Sequence, residues 1–117
     1  EHPLFKRSKN GDLTITVPVT FPEATLGSQI EVPTLEDPVT VKVPPGTRNG
    51  RTMRVKGRGA PRPKGGRGDL LVRVEVDVPR KVSRKERQLL EEFAREHKAT
   101  PRAHLLGYMG RDEARVS

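Results

Sequence analysis

The 117-residue chain has no cysteine and no tryptophan, and only one tyrosine and three phenylalanines. Without cysteine there is neither a disulfide framework nor a thiolate zinc site, a usage that fits a reducing compartment. With so few aromatic rings, a core must be built from Val, Ile and Leu, as thin aliphatic layers between sheets. No apolar run exceeds three residues, so no helix here can span a bilayer, and no signal peptide is visible. The chain opens at Glu1 rather than Met, which reads as a piece of something longer.

Catalytic patterns are missing as well. His2, His97 and His104 stand in no metal-binding spacing, and there is no nucleophile elbow, P-loop or dinucleotide fingerprint. Glu75 and Asp77 share one strand face, but a solvated surface explains them better than an acid pair. The expectation is a protein without enzymatic activity, metal or cofactor.

The last thing lacking is acid, in one place. From Pro38 to Gly68 there are nine basic residues and no Asp or Glu. The remainder, with fourteen basic and fifteen acidic residues, is close to neutral, so the net charge of +8 belongs to this region. Its candidate residues are Arg54, Lys56, Arg58, Arg62, Lys64 and Arg67. A basic patch raises the odds of a polyanionic partner, and one reading is a nucleic-acid-binding module using residues 48–68. No aromatic residue stands there to stack on bases, so nucleic acid is the disfavoured alternative. Residues 57–68 read as a mobile glycine–proline loop whose charge keeps it soluble. The tripeptide Arg67-Gly68-Asp69 is discounted as an adhesion signal, because its acid starts a strand.

What is present is alternation. DLTITVPVTF places Leu13, Ile15, Val17, Val19 and Phe21 on one face, the period of a half-buried strand. Pro18 brings no N–H to a ladder, so this strand is expected at an edge or broken. FPEATLG holds a helical turn that Gly27 closes. Further strands are expected at 29–32, 39–43 and 51–56, with a turn at Asn49-Gly50. The longest, 70–78, sends Leu70, Val72, Val74, Val76 and Val78 inward. Then the period changes to that of a helix. SRKERQLLEEFAREHK opens with the capping box Ser83/Glu86 and carries a narrow apolar stripe of Leu89, Leu90 and Phe93. Thr100-Pro101 ends it, and Leu105, Leu106, Tyr108 and Met109 make an apolar cluster in the tail.

The fold class expected from this pattern is mainly β: a small two-layer, sandwich-like subdomain with a short helical turn and a C-terminal amphipathic helix. An extended peptide could add as a strand to the first long strand if its edge is open. Leu13, Ile15 and Val17 are the candidate residues there.

The strings DLTITVPVTFPEATLGSQIEVPTLEDPVTVKVPPGTRNGRTMRVKGRGAP and GRGDLLVRVEVDVP, followed by SRKERQLLEEFA, resemble the C-terminal substrate-binding region of DnaJ-type J-domain co-chaperones. EHPLFKR-x-x-NGDL resembles the segment joining the two β-rich subdomains of that region. The resemblance implies an inter-subdomain linker at 1–11, a client-binding subdomain at 12–82, a docking or dimerisation helix at 83–99 and a tail at 100–117. It implies unfolded polypeptides as partners, client delivery to a DnaK-type chaperone through the parent protein, a homodimer and a cytoplasmic location. By position, Leu89, Leu90 and Phe93 would serve docking or dimerisation. His2-Pro3 is followed by Leu4, so the His-Pro-Asp signature of a J-domain is missing, and no Cys-x-x-Cys repeats supply its zinc module.

Overall fold

The computed structural model describes residues 4–105. The expectations for His2-Pro3 and for Leu106, Tyr108 and Met109 therefore lie outside the described residues. Two compact units divide between Val78 and Pro79.

The first unit holds two sheets. One is four-stranded, in the order β1 (Lys6–Arg7), β2 (Leu13–Thr20), β6 (Leu70–Asp77), β5 (Thr52–Val55). The other pairs β3 (Ser28–Val32) with β4 (Val39–Val43). The period-two pattern of each strand turns its aliphatic face between these layers. Leu13, Ile15, Leu70 and Val72 from the larger sheet meet Val32 and Val41 from the smaller one. Val19 and Val74 pack instead with Ala24 of helix α1 (Phe21–Leu26). This is the expected two-layer, mainly β architecture with an aliphatic core.

β2 and β6 run parallel, in register from Leu13 against Leu70 to Thr20 against Asp77. A parallel pair needs a crossover, and here everything from α1 to β5 makes it. The local signals work as their chemistry requires. Thr20 and Glu23 form a reciprocal capping box, with the Thr20 N–H donating to Glu23 Oε1 at 2.8 Å. This T-x-x-E signal was legible in the sequence and escaped notice there. Gly27 closes α1 at φ +89°, as expected.

Within residues 4–11, Phe5 is buried in the core and β1 pairs with β2. Two expectations are corrected. Residues 57–68 form an ordered hairpin, closed by Arg62 N–H to Gly66 O at 2.9 Å and bridged between Pro61 and Arg67. Val78 does not face the core. β6 ends at Asp77, and Val78 is 75% exposed.

The second unit contains helix α2 (Arg84–Glu96) and a 3-10 turn, Ala103–Leu105. No residue of α2 is buried.

Candidate functional site

The Leu13 N–H donates to Asp69 O at 2.8 Å. In a parallel ladder that fixes the parity: Leu13, Ile15, Val17 and Val19 turn their backbone groups toward β6, and the residues between turn theirs away. β1 covers this outer edge only at Leu13 and Thr14. Beyond it, the Thr20 N–H is taken by Glu23, and Pro18 has none. The stretch thus presents the Thr16 N–H and the Thr16 and Pro18 carbonyls outward, uncovered by any described strand. The proline is tolerated because its missing donor points off the sheet. β2 therefore lies between β6 and β1, and beyond Thr14 its outer side meets no described strand.

The three candidate side chains differ in placement. Leu13 and Ile15 are 4% and 5% exposed, within the core. Val17 packs against that cluster but is only half-buried. What an extended chain could engage at this edge is the β2 backbone and Val17.

The basic hairpin departs from a uniform charged loop. Arg54 donates to Asp69 Oδ2 at 2.6 Å, with Asp12 at 3.8 Å. The Asp69 carboxylate also accepts the Gly57 N–H at 2.9 Å, and the Asp69 N–H donates to Asp12 Oδ1 at 2.7 Å. Arg62 Nε donates to Asn10 O at 3.1 Å, and Arg67 Nε to Gly59 O at 2.9 Å with Glu36 at 3.6 Å. Arg62 thus ties the hairpin to the turn before β2, Arg67 bonds within the hairpin, and Arg54 holds Asp69 at its end. Lys56, Arg58 and Lys64 make no ion pair or side-chain hydrogen bond among the described residues. Asp12 was missed at the level of sequence; it sits beside Gly11 with no local sign of a partner 57 residues away.

The Gly57 N–H and the Arg54 guanidinium hold the Asp69 carboxyl below its ordinary value of 3.8. A lowered folded-state value contributes stability that is complete above the unfolded value and is lost as pH falls through the folded one. Asp69→Asn should therefore flatten the acid limb of the stability profile below about pH 5. Urea midpoints at successive pH values check this; an unchanged acid limb would count against the pinned carboxylate.

Where the hairpin meets the chain before β2, three glycines touch. A Cβ on Gly68 would lie 2.3 Å from the Gly11 carbonyl, and one on Gly59 would lie 2.6 Å from Gly11 O and Asp69 O. The approach allows the Ala60 N–H to donate to Gly11 O at 2.7 Å.

Helix α2 starts as the sequence indicates: Ser83 Oγ accepts the Glu86 N–H at 3.1 Å, and Glu86 Oε1 accepts the Ser83 N–H at 2.7 Å. Its stripe is exposed, Leu89 by 52%, Leu90 by 36% and Phe93 by 47%. The Phe93 ring stacks on His97 at 5.0 Å between centroids.

Comparison with known proteins places these features. The DnaJ C terminal domain family matches residues 1–79. A protein named Chaperone protein DnaJ 1 from Streptomyces avermitilis is 60% identical over 107 residues, covering 89% of this chain and 26% of that protein. Its namesake in Streptomyces coelicolor is 55% identical over 108 residues, covering 90% of this chain and 27% of that protein. Chaperone protein DnaJ of Caldicellulosiruptor bescii is 50% identical over 95 residues, covering 80% and 24%. The chain spans about a quarter of the length of these curated relatives.

Proposed function

Because the chain belongs to the DnaJ C-terminal domain family, we propose that it binds unfolded polypeptide for a co-chaperone, by strand addition along the stretch of β2 that no described strand covers. The observation that carries this reading is the outward Thr16 N–H and the Thr16 and Pro18 carbonyls on a stretch that no described strand covers. Backbone hydrogen bonds are indifferent to client sequence, which suits a binder of many chains, and Val17 adds an apolar contact. One short edge removes little surface from water and must order a flexible chain, so binding is weak per site. Two sites on one dimer raise it through effective concentration. The division of labour is client binding by residues 12–82 and dimerisation by the helix at 83–99. The work is done by binding alone, without catalytic chemistry, in the cytoplasm. Transfer of clients to a DnaK-type chaperone is carried out by the parent protein.

The nucleic-acid reading gains no support. Three of the six candidate cations are committed to Asp69, Asn10 and Gly59 within the fold, which leaves a thinner patch for phosphates.

Thr16→Pro tests the edge. It deletes the outward donor while leaving the β6 side of the ladder intact, and Pro18 already occupies an equivalent position. Suppression of aggregation of a denatured client should fall at least about threefold, the scale of one lost hydrogen bond, with an unchanged far-UV spectrum. Full suppression by a folded variant would rule out strand addition here. Dimerisation has its own check, sedimentation with and without residues 83–117. A monomer in both cases at tens of micromolar would sink that part.

A further inference from the structure

The turn before β2 and the tip of the basic hairpin face each other across an open cleft of about 450 Å³, lined by Asn10, Arg62, Pro63 and Lys64. A pocket of that size takes a small ligand or a few residues of an extended chain. Its two walls are tied together at the base. The Ala60 N–H donates to Gly11 O at 2.7 Å, Arg62 Nε to Asn10 O at 3.1 Å, and Arg7 Nη2 to Pro61 O at 3.4 Å. Both walls lack acid: residues 4–11 carry three basic residues and residues 57–68 carry four, with no Asp or Glu in either. The acids beside them are already engaged. Asp69 accepts from Arg54 and the Gly57 N–H, and Asp12 accepts the Asp69 N–H.

The side chains that line the cleft offer donors alone. Asn10 Oδ1 accepts the Ser8 hydroxyl and the Asp12 N–H, which leaves the Asn10 amide N–H groups. Arg62 spends only Nε on the protein, so both terminal nitrogens of its guanidinium are left over. Lys64 makes no ion pair or side-chain hydrogen bond among the described residues. The Asn10 and Arg62 carbonyls are taken, by Arg62 Nε and by the Gly65 N–H. A lining of this kind suits a group that only accepts, and an ionised carboxylate or a phosphate is such a group. No aromatic ring lines the cleft, so a nucleic acid would find nothing on which to stack its bases. Polypeptide is already the cargo assigned to β2.

We propose that this cleft binds a carboxylate-rich segment of polypeptide, through the Arg62 guanidinium, the Lys64 ammonium and the Asn10 amide. The proposal rests on the reading of the chain as a polypeptide binder and names a class of client, chains that carry an acidic stretch. Roughly six residues of extended client, about 20 Å, cover the span from Thr16 back to Asn10. A client with acids at that spacing engages β2 and the cleft together, and each contact raises the effective concentration for the other. The cations are exposed, so the contribution is modest and falls as salt rises.

The test is fluorescence anisotropy at low salt, with a short labelled peptide of alternating Glu and Ser and a counterpart carrying Gln for Glu. The Glu peptide should bind at least about tenfold more tightly than the Gln peptide. Lys9→Glu with Lys64→Glu should weaken it at least about fivefold, the scale of a few exposed ion pairs. Lys64 lines the cleft and Lys9 precedes Asn10 in the turn; both are exposed, and an unchanged melting curve confirms the fold. Lys42→Glu with Arg51→Glu makes the same change of net charge on β4 and before β5, and should alter binding less than about twofold. Equal binding of the Glu and Gln peptides would overturn the proposal. Equal weakening by the two double variants would also overturn it, as an effect of net charge alone. An oligothymidine of equal charge that binds more tightly than the Glu peptide, and is weakened by the Lys9/Lys64 variant, would assign the cleft to phosphate instead. None of these failures touches strand addition at β2, which Thr16→Pro reports separately with a client that carries no acidic stretch.

Discussion

Gly68→Ala is expected to unfold the β-rich unit or to leave it barely stable, although it adds a single methyl group. The backbone conformation of Gly68 is one that alanine adopts, so the obstacle is space. The new Cβ would lie 2.3 Å from the carbonyl carbon and oxygen of Gly11 and 2.6 Å from the Asp12 nitrogen. All of these are backbone atoms, which cannot swing aside as a side chain would. Moving them strains the Ala60 N–H bond to Gly11 O, the Gly68 N–H bond to Ala60 O and the Leu13 N–H bond to Asp69 O together. That last bond is the first rung of the parallel β2–β6 ladder. Overpacking costs about 1–3 kcal/mol where side chains can yield, and more where only backbone is available. A loss above about 3 kcal/mol is expected, against a total of about 5–15 kcal/mol for a domain. The melting temperature should fall by more than about 10 °C. Gly66→Ala is the control. Nothing lies within 4 Å of its Cβ, and its cost is the left-handed φ of +74°, worth about 1 kcal/mol. Similar melting of the two variants would show that the three-glycine contact is looser than its distances.

The second large effect comes from Leu13→Asp combined with Ile15→Asp. Both positions sit between the sheets at about 5% exposure or less, and each carboxylate would be stripped of water with no cation placed to receive it. The penalty is several kcal/mol per ion, so no cooperative unfolding transition should remain. Such a chain would also fail to suppress client aggregation, and that failure would report a lost fold rather than a lost groove. Thr16→Pro separates the two, because it alters the edge and spares the core. A double-aspartate chain that melts cooperatively near the unaltered temperature would mean that this face is not buried as the sheets place it.

Much of this protein was legible in its order of residues. Alternation located β2, β4, β5 and β6, the Ser83/Glu86 box located the start of α2, and the family strings named the kind of domain. Those signals are local: a strand writes its buried face every second residue, a capped helix within four. The uncovered stretch of β2 was half legible, since Pro18 announced a place without a ladder donor but could not say which side it faces.

The basic segment shows where legibility stopped. Its charge pointed to a solvated loop, yet Arg54 and Arg62 are bound to Asp69 and Asn10 outside the segment, and Arg67 to Gly59 within it. Glycine richness looked like mobility, whereas Gly59 and Gly68 are small so that backbone can meet backbone. Leu13, Ile15 and Val17 looked equivalent in the alternation, and only the packing of the fold separates the buried pair from the half-buried Val17.

The sequence by itself determined the five longer strands, where α2 is capped, that the core is aliphatic and which family the chain resembles. The tertiary structure decided that β2 lies parallel to β6, which glycines touch, which cations are spent on the fold and which stretch of β2 no described strand covers. The reason is physical. Those outcomes depend on partners such as Asp12 and Asp69, 57 residues apart, and closing so long a loop leaves no mark on the residues beside either one.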